Sequence, residues 1–163
     1  MVAYNFMKSL APLVEAGVKP HTIRNNNRNG RHAKVGDKLQ LYTGMRTKSC
    51  RKLRDTICLA IHEIKIENPA VRILIDSAWV ELSASQVLQL AIADGFASID
   101  EFFNYFTEPR DLVLIVWDEV AWLEELWLTG DPILPELCGD ELLGWLADLQ
   151  DARADLQDAG AAK

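Results

Sequence analysis

The residues best suited to chemistry are a lysine, a threonine and an arginine that lie within six positions of one another. Lys19, Thr22 and Arg24 follow Gly17, at the predicted end of the first helix. An ammonium group favours ionisation of a nearby hydroxyl, and a partly desolvated lysine can act as a base. A guanidinium holds a planar acceptor, such as a base edge or a phosphate, through two hydrogen bonds. The spacing predicts a nucleophile, a base and a binding residue; the alternative is a surface loop in which Thr22 bonds to backbone.

The same region carries a strong local excess of positive charge. Between Lys19 and Arg54 there are eleven Lys and Arg residues and one carboxylate, Asp37, giving +10 in a chain of net charge −7. Clustered cations attract phosphates whatever the net charge, because each neutralised phosphate releases counterions. We predict a face that binds the phosphates of a polyanion, and a solvated basic loop is the alternative. The predicted contacts are Arg28, Arg31, Lys34, Arg46, Lys48, Arg51 and Lys52.

Two further side chains have both a functional and a structural interpretation. His21, beside Thr22, is predicted to face the substrate or make a polar contact, and the alternative is a proton shuttle near neutral pH. Tyr42 is predicted to stack on a base, although aromatic residues in strands are usually part of a core.

Composition limits the class of protein. At 163 residues the chain is long enough for one domain with a real core. No apolar run approaches the roughly 18 residues of a membrane span, and the first residues lack a signal-peptide layout, so we expect no membrane partner. Cys50, Cys58 and Cys138 are odd in number and widely spaced, which favours a reducing, cytoplasmic setting. Cys50, Cys58 and His62 lack zinc-ligand spacing, and we expect no metal and no cofactor.

Hydrophobic periodicity predicts an α+β domain. A helix is predicted over residues 6–16, and strands over 38–42, 56–66, 71–75, 78–82 and 112–117. Residues 19–24 are interpreted as a loop. Ser83 or Ser85 is expected to cap a helix that Gly95 ends, and Ser98 with Glu101 forms a capping box for a short helix. Several strands with helices inserted between them favour a small mixed β-barrel.

The chain changes character after Trp117. Residues 118–163 hold twelve carboxylates and two basic residues, yet apolar stripes around Trp127 and Trp145 follow helical spacing. The sequence therefore predicts a domain of residues 1–117 followed by an acidic, amphipathic helical extension. This extension is expected to pack on the domain or on a second copy of the chain.

Four segments along residues 3–117 follow one another in a recognisable order. They are G-x-K-x-x-T-I-R over 17–24, G-D-x-L-x-L-Y-T-G over 36–44, the DGF of 94–96 with the DEFF of 100–103, and the strand at 113–117. This series resembles the activating-signal-cointegrator homology (ASCH) domain, whose β-barrel is related to the pseudouridine-synthase-and-archaeosine-transglycosylase (PUA) RNA-binding domain. The resemblance implies a PUA-like mixed barrel with inserted helices and a central cleft for RNA or a nucleotide.

The resemblance also implies an activity. Some small members of the family remove the acetyl group from N4-acetylcytidine with a Lys, a Thr and a Glu, and other members are nucleases. Lys19 and Thr22 fall on that Lys and Thr, and Asp94 falls on the Glu. Asp is one methylene shorter than Glu, so we expect its carboxylate to fall short of the position for proton transfer.

Three classes of function follow. The first is an RNA- or nucleotide-binding protein that hydrolyses an amide on a modified nucleobase, with Lys19, Thr22 and Asp94 as catalytic residues and Arg24 orienting the base. The second is a non-catalytic RNA-binding module or a ribonuclease. The third is a regulatory protein that binds a partner, or forms a homodimer, through the acidic extension.

Overall fold

The structure is a computed structural model that describes residues 1–26, 32–108 and 110–120. In this part of the chain, eight strands form two sheets, with three α-helices and one 3₁₀ turn. The strands are β1 (Val2–Phe6), β2 (His21–Asn25), β3 (Lys38–Thr43), β4 (Arg51–Ile57), β5 (Ala60–Glu67), β6 (Ala70–Ile75), β7 (Ala78–Glu81) and β8 (Leu112–Val116). The helices are α1 (Ala11–Glu15), α2 (Ala84–Asp94) and α3 (Ile99–Tyr105), and the 3₁₀ turn is Lys8–Leu10.

The strands divide into a three-stranded sheet of order β1-β3-β4 and a five-stranded sheet of order β2-β8-β5-β6-β7. β1 is parallel to β3, and the other paired strands are antiparallel. The fold class is mixed α+β, as the periodicity predicts. The predicted barrel is wrong for the described strands, because they form two separate hydrogen-bonded sheets that do not close on each other.

β8 lies at the centre of the fold because its two faces serve two different hydrophobic clusters. All five of its residues are buried, as its continuous apolar sequence predicts. Successive side chains of a strand point to opposite faces. The first cluster takes Leu112, Leu114 and Val116 with residues of β5, β6, α2 and α3, and the second takes Val113, Ile115 and Trp117 with residues of β1 and β3.

The ends of α2 are those predicted from the sequence. The Ser83 hydroxyl accepts a hydrogen bond from the Gln86 N–H, and the Gln86 side chain accepts one from the Ser83 N–H, which makes a full capping box. Gly95 ends the helix with φ 106°, a left-handed conformation that a side chain disfavours. The chain can therefore turn sharply straight after Asp94, the last residue of the helix.

The first quarter of the chain differs from the prediction. The helix predicted over 6–16 is only α1, and it is preceded by β1 and the 3₁₀ turn. The loop predicted over 19–24 is largely β2, which pairs along its whole length with β8. The first three residues of β2 are all buried, so its sequence lacks the alternation that identifies a half-exposed strand.

The other predicted strands are confirmed with one break. Residues 38–42, 71–75, 78–82 and 112–117 correspond to β3, β6, β7 and β8. The strand predicted over 56–66 is interrupted at Cys58 and Leu59, whose N–H groups donate to the carbonyls of Asp37 and Val116. The chain passes there from the three-stranded sheet to the five-stranded sheet, a change that alternation alone does not reveal.

The predicted acidic extension lies outside the described residues beyond Val120, so its helices and the boundary after residue 117 stay predictions. Within the described part of the chain, no helix is both long and apolar enough to cross a membrane.

Candidate functional site

A cleft of about 530 Å³ opens beside β2, an edge strand of the five-stranded sheet. Its walls come from the end of β1, from β2, from the C-terminal end of α2 and from α3. Lys19, Thr22, Arg24 and Asp94 all line it, so the structure brings together the four cleft residues predicted from the sequence.

Lys19 is buried, although the sequence places it in an exposed type of segment. After α1 the chain reverses, and the N–H groups of Val18 and Lys19 both donate to the Leu13 carbonyl. This turn directs the lysine inward, where only 1% of its surface is exposed. Its ammonium donates to the backbone carbonyl and to the Oδ1 of Asp94, each at 2.5 Å. A buried charge is tolerated when it is paired and hydrogen-bonded in this way.

The hydrogen bonds to Asp94 offset the free-energy cost of burying the Lys19 ammonium. The short side chain of Asp94 is long enough for this contact. Burial by itself raises the pKa of the Asp94 carboxyl, but the Lys19 ammonium and the His21 imidazole outweigh burial and hold the pKa below its usual value. Asp94 is therefore ionised at neutral pH. The expectation that its carboxylate falls short of the position for proton transfer to a substrate stays a prediction.

His21 lies beside this pair and is fully buried. Its Nδ1 is 3.5 Å from Asp94 Oδ1, which is long for a hydrogen bond. Burial lowers the pKa of His21, and the neighbouring Asp94 only partly opposes this effect. A neutral imidazole beside one ammonium and one carboxylate leaves the cluster without net charge. His21 is not among the residues that line the cleft, so a direct contact with substrate has no support from its position.

Thr22 and Arg24 project from the same face of β2, because they are two residues apart on a strand. One Arg24 amino group donates to the Asn5 carbonyl at 2.9 Å, and the guanidinium carbon lies 5.1 Å from the centre of the Phe6 ring. Burial lowers the pKa of Arg24, with Asp94, Tyr105 and Tyr4 opposing it, but an arginine stays protonated in proteins. Arg24 Nε is buried without a hydrogen-bond partner among the described residues. The hydrogen bond to Asn5 and the contact with Phe6 therefore hold the guanidinium in place, while its Nε–H donor has no partner among the described residues.

Sequence reasoning missed one wall of the cleft, which α3 and the segment between α2 and α3 provide. Phe96, Glu101 and Tyr105 line the opening, and the Phe96 and Tyr105 rings are 5.5 Å apart. Ser98 caps α3 as predicted, but the Glu101 carboxylate accepts from the Ala97 N–H, so the predicted capping box is only half formed. The spacing of Glu101 and Tyr105 at i and i+4 puts both on one helix face, and this signal was present in the sequence.

The predicted phosphate contacts that the structure describes lie away from the cleft. Lys34, Arg46 and Lys48 are exposed in the segments that flank β3, and none of them lines the cleft. Arg28 and Arg31 lie outside the described residues. These positions leave phosphate binding by the exposed lysines and arginines as a prediction about a separate surface.

Three other residues that were predicted to contact RNA instead bind other side chains of the protein. Arg51 forms an ion pair with Glu15, and Lys52 forms one with Asp55 at 2.7 Å. The Tyr42 hydroxyl donates to the Gln40 side chain at 3.2 Å, and Tyr42 does not line the cleft. The positive charge that β4 offers to a polyanion is therefore smaller than the sequence count indicates.

The described residues contain no group of three or more His, Cys, Asp and Glu side chains that could hold a metal ion. Cys50 is exposed and Cys58 is buried, and burial raises the pKa of Cys58 to about 11, which keeps it a neutral thiol. His62 lies in β5 with Nδ1 3.3 Å from the Leu74 carbonyl, which agrees with the structural interpretation of a histidine within a sheet.

The cleft thus combines a hydroxyl, an ammonium in direct contact with a carboxylate, and a guanidinium, beside an aromatic wall. Such a set can move a proton between lysine and aspartate, activate a hydroxyl and orient a planar acceptor. Comparison of the chain with protein-family models, with curated proteins and with solved structures gave no match.

Proposed function

We propose that the protein is an ASCH-type hydrolase that binds a modified nucleobase in the cleft and hydrolyses an exocyclic amide of the N4-acetylcytidine type. The observation that carries this proposal is the buried contact between Lys19 and Asp94 on a cleft wall that also holds Thr22. A lysine and an acid in contact beside a hydroxyl form a set suited to activating a nucleophile.

The shape and the lining of the cleft support a nucleoside-sized ligand. A volume of about 530 Å³ lies in the range of small-molecule sites. Phe96 and Tyr105 offer an aromatic surface at the opening, where Tyr105 is 66% exposed and accessible to a planar base. Arg24 lines the cleft, and a guanidinium suits a carbonyl or ring nitrogen on the edge of such a base.

The proposed reaction starts from the charge state of the free protein, with Lys19 protonated and Asp94 ionised. A proton passes from Lys19 to Asp94 across their contact, which leaves a neutral amine and a carboxylic acid. The amine accepts the Thr22 proton as Thr22 Oγ attacks the amide carbonyl carbon, and the acid gives its proton to the nitrogen that leaves when the C–N bond breaks.

This step returns Lys19 to the ammonium form and Asp94 to the carboxylate. The acyl group is then an ester on Thr22, and the other product is the free exocyclic amine. Attack of water on the ester carbonyl releases the carboxylic acid and restores the Thr22 hydroxyl. The roles of the three residues account for every proton, and no external oxidant or reductant takes part.

The test is release of cytidine from N4-acetylcytidine by the purified full-length protein, followed by liquid chromatography. We expect Thr22→Val to lower kcat by roughly 10³-fold, because valine keeps the shape and removes the nucleophile. Thr22→Ser keeps the hydroxyl and should retain activity. We expect Asp94→Asn to lose activity because an amide cannot carry the proton.

Two results would contradict the proposal. If Thr22→Val hydrolyses the substrate as fast as the unchanged protein, Thr22 is not the nucleophile. If the unchanged protein binds the nucleoside and releases no cytidine, the cleft belongs to a non-catalytic nucleotide-binding module. The burial of Lys19 behind two bonds to Asp94 favours this second function, because it restrains the lysine.

A further inference from the structure

A second groove, of about 530 Å³, adjoins the cleft on the far side of β1. Its floor is largely apolar and includes Phe6, Ala11 and Pro12. Gly44 and Ser49, from the loop that joins β3 to β4, also line it. Of the residues that line this groove, only Arg51 was predicted from the sequence to bind a ligand.

The groove and the cleft share a wall, because Asn5, Phe6 and Met7 line both. Met7 is 64% exposed, so it forms an accessible ridge between the two spaces. Asn5 links them structurally: its carbonyl accepts from Arg24 in the cleft, and its side-chain oxygen accepts from the Met45 N–H in the β3–β4 loop. A ligand longer than one nucleoside can therefore extend from the cleft across Met7 into the groove.

The charges along the groove favour an anion at the ridge. Lys8 follows Met7 directly, is exposed, and forms no ion pair with the described residues. Arg51 also lines the groove, but it forms an ion pair with Glu15. Lys8, beside the Met7 ridge, is therefore the lining cation without an ion pair among the described residues, and the apolar floor of the groove lies next to it.

We propose that the groove binds the nucleotide next to the base held in the cleft, so that the natural substrate is a single-stranded oligonucleotide. The linking phosphodiester crosses Met7 and is neutralised by Lys8, and the neighbouring base lies on the apolar floor. This inference rests on the proposed function, since it needs a nucleobase in the cleft.

The test compares N4-acetylcytidine with a trinucleotide that carries N4-acetylcytidine between two uridines. Affinities are measured by titration of the Thr22→Val protein, so that neither probe is consumed, and kcat/KM is measured for the unchanged protein. We expect the trinucleotide to bind about tenfold more tightly, the value of one charge-assisted hydrogen bond. We expect Lys8→Ala to remove this advantage, leave the nucleoside unaffected, and reduce the slope of log affinity against log salt by about 0.7.

Lys38→Ala is the matched control. Lys38 is also exposed and forms no ion pair with the described residues. It is the first residue of β3, whereas the groove lies at the other end of that strand, at Thr43. Lys38 is therefore about 17 Å along the strand from the end of β3 that lines the groove. We expect Lys38→Ala to change neither affinity nor the salt slope.

The outcomes separate this inference from the proposed function. Equal affinity for both probes overturns the second site and leaves the cleft function standing. A trinucleotide advantage that Lys8→Ala and Lys38→Ala reduce equally also overturns it, since the attraction is then not local. Binding of neither probe overturns both proposals, and self-association of the protein in that case would assign the groove to a second copy of the chain.

Discussion

At the scale of single residues, the cleft depends on the balance of charge among Lys19, His21 and Asp94. All three side chains are buried, so each charge must be matched inside the protein. One ammonium and one carboxylate cancel, and burial keeps the imidazole neutral. A buried ion pair is weak evidence for stability, because desolvation offsets much of the attraction. In the proposed reaction, this pair keeps a proton donor and a proton acceptor in contact.

The buried imidazole makes stability depend on pH. The pKa of His21 is lower in the folded protein than in the unfolded chain, so the unfolded chain binds more protons as pH falls below about 6.5. The free energy of unfolding should therefore be largest above this pH and fall as the pH drops below it. We expect His21→Asn to flatten this part of the curve, as measured by urea denaturation at a series of pH values.

His62→Asn is the necessary comparison, because burial also lowers the pKa of His62 and gives the same sign. The loss below pH 6.5 should shrink in each single variant and nearly vanish in the double variant. Asp94 acts in a lower window, since its lowered pKa gives stability that disappears only as pH falls through and below about 4. If the double variant keeps the full loss between pH 6.5 and 5, these histidines do not cause it.

The sequence identifies Lys19, Thr22, Arg24 and Asp94 as one site, but it does not reveal that Lys19 is buried. The partner that permits this burial lies 75 residues away along the chain. Local sequence contains no information about such a contact, and a lysine near a glycine is usually exposed. The wall formed by Phe96, between α2 and α3, and Tyr105, in α3, was missed because aromatic residues are most simply explained as core.

At the scale of elements, the strands predicted from the sequence are those with a clear pattern, either alternation or a continuous apolar run. β3 alternates between buried and less buried residues, and β8 is a continuous apolar run, so both are predicted. β2 is covered on both faces while carrying His21, Thr22 and Arg24, so neither pattern appears. β1 does alternate, but Phe6, Leu10 and Leu13 also fit a helical period and favoured the wrong element.

The β3–β4 loop gives a prediction about backbone geometry. Gly44 has φ 63°, and a Cβ there would lie 2.8 Å from the Ser49 carbonyl oxygen, a backbone atom that cannot move independently. We expect Gly44→Ala to lower the free energy of unfolding by about 1–2 kcal/mol for the left-handed conformation and by a further 1–3 kcal/mol for the clash. Urea denaturation measures the sum.

Gly36→Ala separates these two contributions. Gly36 has φ 86°, but a Cβ there would meet nothing within 4 Å. Gly36→Ala should therefore lower the free energy of unfolding only by the cost of the left-handed conformation, about 1–2 kcal/mol. Equal losses for the two variants would show that the loop relaxes and that the contact with Ser49 carries no free energy.

At the scale of the whole molecule, the arrangement of the strands is what the sequence reveals least. Alternation predicts that strands exist, but it does not show that β1 pairs in parallel with β3 or that β2 pairs with β8. The resemblance to a barrel family predicts closure, and the described strands instead form two sheets. Pairing between distant segments depends on packing across the core, which no local pattern records.

Because β8 contributes to both hydrophobic clusters, the two sheets should unfold together. Leu114 packs in the first cluster and Ile115 in the second, and both are fully buried. We expect Leu114→Ala and Ile115→Ala each to lower the free energy of unfolding by about 2–5 kcal/mol, within one transition that far-ultraviolet circular dichroism and tryptophan fluorescence report identically. Ile57→Ala, at an isoleucine 51% exposed on β4, should change stability by about 0.5 kcal/mol or less. Two separate transitions, each moved by only one core variant, would show that the clusters are independent despite sharing β8.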